Sequence, residues 1–234
     1  MKKRILLIGN STGLPGVKVD INNYKAFFMS DYGGAWNEDE IEVLMNPDID
    51  FLHYEILRLS ISKLEYLIVV YSGHGGWNRG TFLEINEKEQ TISETRLSGI
   101  ACKQITILDC CRARFTFEKS AQLEFSTRSV SSELVRRKYE SYIGQAIDQQ
   151  VKLYACQIDE TAMDTSEGGV YSVNFLKIAR NLNGIESKTV GRCHQEALQR
   201  IKTLGYEQNP EAILPRCLKS QELIFSISPN VDLF

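Results

Sequence analysis

A histidine and a cysteine each follow an apolar run of the chain, and together they could attack a carbonyl group. His74 lies in a Gly-His-Gly sequence just after the apolar run 66–71, and Cys111 follows the apolar run 105–108. In such a pair the imidazole takes the thiol proton, the thiolate attacks the carbonyl carbon, and the imidazole then protonates the leaving amine. The backbone amides of Gly75 and Cys111 could hold the negative oxygen of the intermediate. This chemistry, the cleavage of a peptide bond, needs no metal.

Each of the two residues is weak evidence when it is taken alone. A lone histidine in a glycine-rich turn is more often structural, and a cysteine at the end of a buried strand is usually packed in the core. The glycines beside His74 leave its backbone approachable from a cleft. The joint occurrence of His74 and Cys111 at the ends of two apolar runs favours a catalytic pair.

Two adjacent cysteines compete for the role of nucleophile. In extended backbone alternate side chains share a face, so Asp109 and Cys111 would point to one side and Cys110 to the other. This favours Cys111 as the nucleophile and Cys110 as its buried neighbour. A turn that began at Cys110 would remove the alternation.

Continuous apolar runs separated by amphipathic segments indicate the elements that position these residues. Unbroken apolarity is typical of parallel strands that are covered on both faces. The predicted strands cover residues 4–9, 41–44, 66–71, 105–108, 151–156 and 223–227. The predicted helices cover residues 21–29, 50–64, 171–179 and 191–204. Asp20 is a candidate N-cap for the first helix, and residues 209–215 are predicted to be irregular because they contain two prolines.

This alternation predicts a three-layer α/β/α fold with a mainly parallel central sheet. In such folds ligands bind at the carboxyl ends of the strands, which is where His74 and Cys111 lie. The 234 residues suit a single domain over residues 1–234, with a long polar loop or insertion at residues 112–150.

Composition limits the classes of partner and compartment. With a hydrophobic fraction of 43% and a charged fraction of 24%, the chain is typical of a folded domain. The net charge of −3 gives no electrostatic reason to bind nucleic acid or an anionic membrane. The apolar run 5–8 is too short for a signal peptide, and no run approaches the roughly 18 apolar residues of a membrane helix. We therefore expect a soluble, cytoplasmic protein.

The six cysteines show neither repeated CxxC pairs nor the density of a disulfide scaffold, so we expect reduced thiols. Cys102, Cys156 and Cys217 lie among apolar residues and are predicted to be packed in the core.

The two motifs resemble the metacaspase-like branch of the caspase superfamily, in which one apolar strand ends in Tyr-Ser-Gly-His-Gly and a later one in Asp-x-Cys. Here the motifs stand at residues 71–75 and 109–111. Looser resemblance covers residues 4–9, 14–20, 153–164 and 169–176. The resemblance implies the caspase-like fold and a cysteine endopeptidase in which Cys111 is the nucleophile and His74 its base.

The resemblance also implies an acidic pocket for the side chain that precedes the cleaved bond. Asp20, Ser72 and Asp109 occupy the matching positions, and an acidic pocket favours Arg or Lys in the substrate. The alternative for Asp20 is the helix cap. Some metacaspase-like enzymes bind calcium, and the acidic residues available for such a site are Asp159, Glu160, Asp164 and Glu167. The alternative for this cluster is a solvated loop.

The chain departs from the metacaspase-like pattern directly after the nucleophile. His-Ser-Gly usually follows the cysteine, whereas residues 112–114 are Arg-Ala-Arg. Within residues 112–150, Arg128 and the basic run Arg136-Arg137-Lys138 suggest a self-processing site, and the alternative is a solvated helix over residues 132–149. Activation could instead come from a partner. Small bacterial members suggest a role in stress, cell death or antiviral defence.

Two other functions compete with a peptidase. One is a catalytically inactive caspase-fold protein that serves as a binding or scaffold module. The other is a nucleotide-binding protein that uses the turn 9–16 as a phosphate cradle, although this turn lacks the glycine and lysine spacing of the known phosphate loops.

Overall fold

A six-stranded sheet forms the centre of the protein. The computed structural model describes residues 1–113 and 132–229. In chain order the strands are β1 (Lys3–Gly9), β2 (Ile41–Met45), β3 (Tyr66–Ser72), β4 (Gly75–Trp77), β5 (Thr81–Glu84), β6 (Thr91–Ser93), β7 (Lys103–Asp109), β8 (Gln149–Tyr154), β9 (Asp164–Thr165), β10 (Gly168–Gly169), β11 (Ser187–Thr189), β12 (Glu211–Ile213) and β13 (Ile224–Ile227). The central sheet has the order β12-β8-β7-β3-β1-β2.

The central sheet is parallel except at one edge. β1 pairs in parallel with β2 and β3, β3 pairs in parallel with β7, and β7 pairs in parallel with β8. The edge strand β12 runs antiparallel to β8. All seven residues of β3 are buried, as expected for a continuous apolar run with a layer on each face.

Two layers cover the sheet and complete the predicted three-layer α/β/α architecture. The helices are α1 (Pro15–Met29), α2 (Ile49–Ile61), α3 (Ser132–Gln145), α4 (Val170–Arg180) and α5 (Val190–Thr203). One core cluster joins α1, α3, α4 and α5 to one face of the sheet. The other cluster joins α2 and the antiparallel sheet β4-β5-β6 to the opposite face. The predicted fold class is therefore confirmed.

Helix α1 begins six residues earlier than the sequence predicted, and the assignment of Asp20 as a helix cap is wrong. Pro15 occupies the first turn and Leu14 is the N-cap residue. The fixed φ of proline suits the first helical position, where its missing N–H costs no hydrogen bond. Asp20 consequently lies inside the helix and is buried.

The C-terminal region contains the predicted last strand and one strand that was not predicted. β13 does not join the central sheet but pairs antiparallel with β11. Residues 211–213, predicted to be irregular, form the edge strand β12, since Pro210 and Pro215 flank the strand without interrupting it.

The polar stretch 112–150 contains a helix that is shorter than predicted. α3 ends at Gln145, and β8 begins at Gln149. Arg136 lies on α3, whereas Arg114 and Arg128 lie outside the described residues. Across residues 1–113 and 132–229 no helix combines the length and apolarity needed to cross a bilayer.

Candidate active site

The candidate base and nucleophile lie at the same edge of the sheet because their strands end in register. Ser72 at the end of β3 pairs with Asp109 at the end of β7, and Gly73 N donates a hydrogen bond of 3.1 Å to Asp109 O. His74 and Cys111 each follow this pair by two residues. Both residues line one cleft.

A backbone carbonyl fixes the ring of His74. The Nε2 atom lies 2.6 Å from the carbonyl oxygen of Thr12, in the loop after β1. A carbonyl oxygen only accepts, so Nε2 carries the proton of the neutral imidazole and Nδ1 keeps its lone pair. The ring is thus held in the tautomer that presents Nδ1 as the basic atom. Sequence analysis missed Thr12, since a backbone acceptor has no characteristic residue type.

The adjacent cysteines lie in different surroundings. Cys110 is 2% exposed and belongs to the core cluster on the α2 side of the sheet. Cys111 is half-buried, and its Sγ lies 3.7 Å from the carbonyl oxygen of Ala162. Burial raises the pKa of Cys111, and the negative charges of Asp109 and Asp164 raise it further. These surroundings favour the thiol over the thiolate.

The remaining cysteines only partly match the prediction. Cys156 is buried, but Cys102 is exposed and Cys217 is half-buried. Cys102 lies in the bend just before β7, where its side chain reaches solvent.

Gly75 brings its backbone close to the end of β7. A Cβ atom at Gly75 would lie 2.8 Å from the Sγ of Cys110, so a larger residue would push β4 away. Gly75 pairs with Leu83, and next to this pair Glu84 N donates to His74 O at 3.0 Å. Because hydrogen-bonded and non-bonded pairs alternate in an antiparallel ladder, the N–H of Gly75 points away from β5.

The predicted pocket residues Asp20, Ser72 and Asp109 meet at the floor of the cleft. Ser72 Oγ donates to Asp20 Oδ2 at 2.9 Å, and Gly169 N donates to both carboxylate oxygens of Asp20 at 3.0 and 3.1 Å. Asp109 Oδ2 accepts hydrogen bonds from the hydroxyl and the backbone N–H of Ser172 at 2.6 and 3.1 Å. These bonds hold both carboxyl groups in place.

A third carboxyl group, that of Asp164, lines the same cleft. The short β9–β10 hairpin carries it to the first turn of α1, where Gly16 N donates to Asp164 Oδ2 at 3.0 Å. Burial and the nearby Asp109 raise the pKa of Asp20, while burial raises the pKa of Asp109 to about 6. Burial also raises the pKa of Asp164. The cleft is therefore a crowded acidic site.

A family model described as the caspase domain matches residues 2–219. The chain belongs to the caspase family. The matched residues include His74, Cys111 and the three acidic residues of the cleft. A search of curated proteins finds no match to this caspase domain.

Solved structures share the fold of this caspase domain at low sequence identity. Protein GSU0716 from Geobacter sulfurreducens is similar with a TM-score of 0.60 and 14% identity, over 91% of this chain and 93% of that chain. Caspase-1 from Spodoptera frugiperda is similar with a TM-score of 0.62 and 12% identity, over 91% of this chain and 86% of that chain. At these identities the likeness shows the fold alone.

The residue after Cys111 in this caspase domain is Arg112, where the metacaspase-like pattern has histidine. Its buried guanidinium donates to Thr81 Oγ1 at 3.2 Å, to Cys156 O at 3.2 Å and to Glu211 Oε2 at 2.6 Å. It also stacks over the ring of Tyr154 at 4.1 Å. Arg112 therefore connects the loop after the nucleophile to β5, β8 and β12.

The acidic residues considered for calcium do not converge in this caspase domain. Asp159 and Glu167 are exposed. The carboxylate of Glu160 accepts hydrogen bonds from Asn209, while Asp164 lines the cleft. Within the described parts of the chain, no three His, Cys, Asp or Glu side chains meet in a way that could hold a metal ion.

Proposed function

We propose that this caspase domain is a cysteine endopeptidase in which Cys111 is the nucleophile and His74 the general base and acid. The observation that carries the proposal is the meeting of the two side chains in one cleft, with the imidazole held as the Nε2-protonated tautomer. That tautomer suits proton transfer from a thiol to Nδ1. A protein or peptide is the substrate that the caspase family suggests.

The reaction begins with transfer of the Cys111 proton to Nδ1 of His74. The thiol donates to Ala162 O at rest, so Sγ turns from this carbonyl as the substrate enters. The sulfur then forms a bond with the carbonyl carbon, and the N–H groups of Gly75 and Cys111 stabilise the oxyanion. Nδ1 returns its proton to the leaving amine as the C–N bond breaks. Water, deprotonated by Nδ1, then attacks the thioester and releases the acid and the thiol.

The acidic cleft supports cleavage after Arg or Lys. Three carboxyl groups of raised pKa, those of Asp20, Asp109 and Asp164, lie together without a cationic side chain among the lining residues. A basic substrate side chain would offset the repulsion among the carboxylates, whereas an acidic side chain would increase that repulsion. Burial of a cation is costly unless the cation is paired with an anion. Here the three carboxyl groups are already held in place by hydrogen bonds.

Two peptides that differ only in the residue before the cleaved bond test the proposed function. We expect hydrolysis of a fluorogenic peptide ending in Arg, slower hydrolysis after Lys, and none after Asp, with and without calcium. An acyloxymethyl ketone carrying the Arg peptide should label Cys111, which mass spectrometry identifies. A plain alkylating agent is a poorer probe, because Cys102 is exposed while the pKa of Cys111 is raised. No hydrolysis and no labelling of Cys111 would favour the inactive scaffold.

Asp164 is expected to control the choice between Arg and Lys. It is the least buried of the three acidic groups, and a guanidinium offers several donors in a plane where an ammonium offers a point charge. Asp164→Asn keeps an acceptor for Gly16 N–H, so the hairpin should remain in place. We expect the Arg:Lys ratio of kcat/KM to fall by about tenfold.

The matched control for Asp164→Asn is Asp159→Asn, an exposed acidic residue of the same connection. It removes one negative charge and leaves the cleft unchanged. An equal fall of the Arg:Lys ratio in both variants would contradict a local role for Asp164 and indicate only a general effect of net charge.

A further inference from the structure

The side chain of Asn10 links two elements on either side of the catalytic loop. It is fully buried at the end of β1. Its Nδ2 donates to Glu84 O at 2.9 Å and to Glu84 Oε1 at 3.3 Å. Its Oδ1 accepts the N–H of Thr12 at 3.1 Å. The side-chain amide of Asn10 thus fixes the end of β5 and also the loop that contains Thr12, whose carbonyl accepts the hydrogen bond from His74.

Glu84 anchors the backbone of His74 from the opposite side. Its N–H donates to His74 O at 3.0 Å, and the hydroxyl of Tyr71 lies between the carbonyl oxygens of His74 and Glu84. The residue Glu84 is only 4% exposed. Burial raises the pKa of the Glu84 carboxyl, and the nearby His74 and the hydrogen bond from Asn10 oppose that shift.

The packing around Gly73 shows how closely Asn10 lies beneath the histidine loop. A Cβ atom at Gly73 would lie 2.7 Å from the Tyr71 hydroxyl and 2.9 Å from Cβ of Asn10. The backbone N–H of Asn10 also donates to Ser72 O at 3.0 Å. The loop from Ser72 to His74 therefore rests directly on Asn10.

We propose that Asn10 and Glu84 are positioning residues that hold the imidazole of His74 with Nε2 protonated and Nδ1 facing the nucleophile. They act through two anchors: Thr12, whose N–H donates to Asn10 Oδ1 and whose carbonyl accepts from His74, and the backbone of His74, whose carbonyl accepts from Glu84 N–H. The bond between Asn10 Nδ2 and Glu84 fixes the two anchors relative to each other. Only an amide supplies the donor on one side and the acceptor on the other at this length. The role of Asn10 and Glu84 in catalysis rests on the proposed peptidase function. Their effect on the tautomer of His74 does not depend on that function.

Two variants of Asn10 break its hydrogen bonds to Thr12 and Glu84 in different ways. Asn10→Leu removes both the donor and the acceptor. Asn10→Asp keeps the shape and the acceptor for Thr12 N–H but places a carboxylate against the oxygens of Glu84. In the double variant Asn10→Asp, Glu84→Gln, the new amide donates to the new carboxylate, so the side-chain bond is restored with reversed polarity.

The experiment combines ¹⁵N NMR of histidine-labelled protein at about pH 8, where a free imidazole is neutral, with kcat and KM for the Arg peptide. We expect the wild type to show His74 as a single Nε2-protonated tautomer, and Asn10→Leu to show a mixture. We expect kcat to fall about 100-fold in Asn10→Leu and about tenfold in Asn10→Asp, with KM changed less than about threefold, because the imidazole is misplaced while the acidic pocket is intact. The double variant should recover part but not all of the kcat lost in Asn10→Asp, because the side-chain bond is restored while the bond to the backbone oxygen of residue 84 is not.

The control is Asn174→Leu, a buried asparagine on α4 that donates to Val170 O at 2.7 Å. It should lower the melting temperature without altering the His74 signals or kcat. If Asn10→Leu does not fold, the isosteric Asn10→Asp carries the test. An unchanged tautomer in the folded Asn10 variants, with kcat within about twofold of wild type, would overturn the proposal. A wild type that shows the fixed tautomer but cleaves no peptide would instead contradict the peptidase function and leave the positioning role standing.

Discussion

We expect Cys111→Ala to lower kcat/KM for the Arg peptide by roughly 10³-fold or more, because the thioester can no longer form. His74→Ala should cost about 10² to 10⁴-fold, since the proton transfers at the thiol and at the leaving amine lose their partner. Both variants should still bind the peptide, as the acidic groups of the cleft remain. Steady-state kinetics with the fluorogenic peptide measures the loss, and fluorescence anisotropy measures the binding.

Cys110→Ala is the matched control for Cys111→Ala. It removes the neighbouring thiol on the other side of the strand end, where Cys110 is packed in the α2 cluster. We expect a lower melting temperature from the cavity and most of the wild-type activity. Activity lost in Cys110→Ala and retained in Cys111→Ala would contradict the assignment of the nucleophile.

The central strands could be predicted from the sequence because their side chains are apolar on both faces. The residues of β3 and β7 form continuous apolar runs, and the structure places these strands side by side in register. Pairing at the edges could not be predicted. β12 has only three residues and β13 is as apolar as a central strand, so neither sequence indicates which strand it joins.

The candidate site shows the same division between local pattern and tertiary contact. His74 and Cys111 were recognisable because their residue types carry the chemistry and glycine or a strand end precedes them. Thr12 contributes only a carbonyl oxygen, which any residue supplies. Asp164 reaches the cleft because the β9–β10 hairpin folds against α1, and no local pattern encodes that contact.

Asp109→Asn should lower kcat/KM for the Arg peptide by roughly 30- to 1,000-fold, since it removes a charged partner from a buried ion pair with the substrate. A peptide with citrulline in place of Arg keeps the shape and loses the charge. The Arg:citrulline ratio of kcat/KM should therefore collapse in Asp109→Asn. Asp39→Asn, an exposed site with the same change of charge, should keep the wild-type ratio.

The pH dependence of KM separates an acidic pocket from a pocket of suitable shape. Burial raises the pKa of Asp109 to about 6, so its carboxyl is negative above that pH and becomes neutral as the pH falls through it. The attraction of Asp109 for a cationic side chain is therefore present at neutral pH and is lost on acidification. We expect KM for the Arg peptide to rise below about pH 6 in the wild type, whereas KM for the citrulline peptide should not follow this titration. Asp109→Asn should remove the rise, because an amide does not titrate. A wild-type KM for the Arg peptide that is constant down to about pH 5 would contradict recognition by Asp109 and would leave shape, rather than charge, as the basis of selectivity.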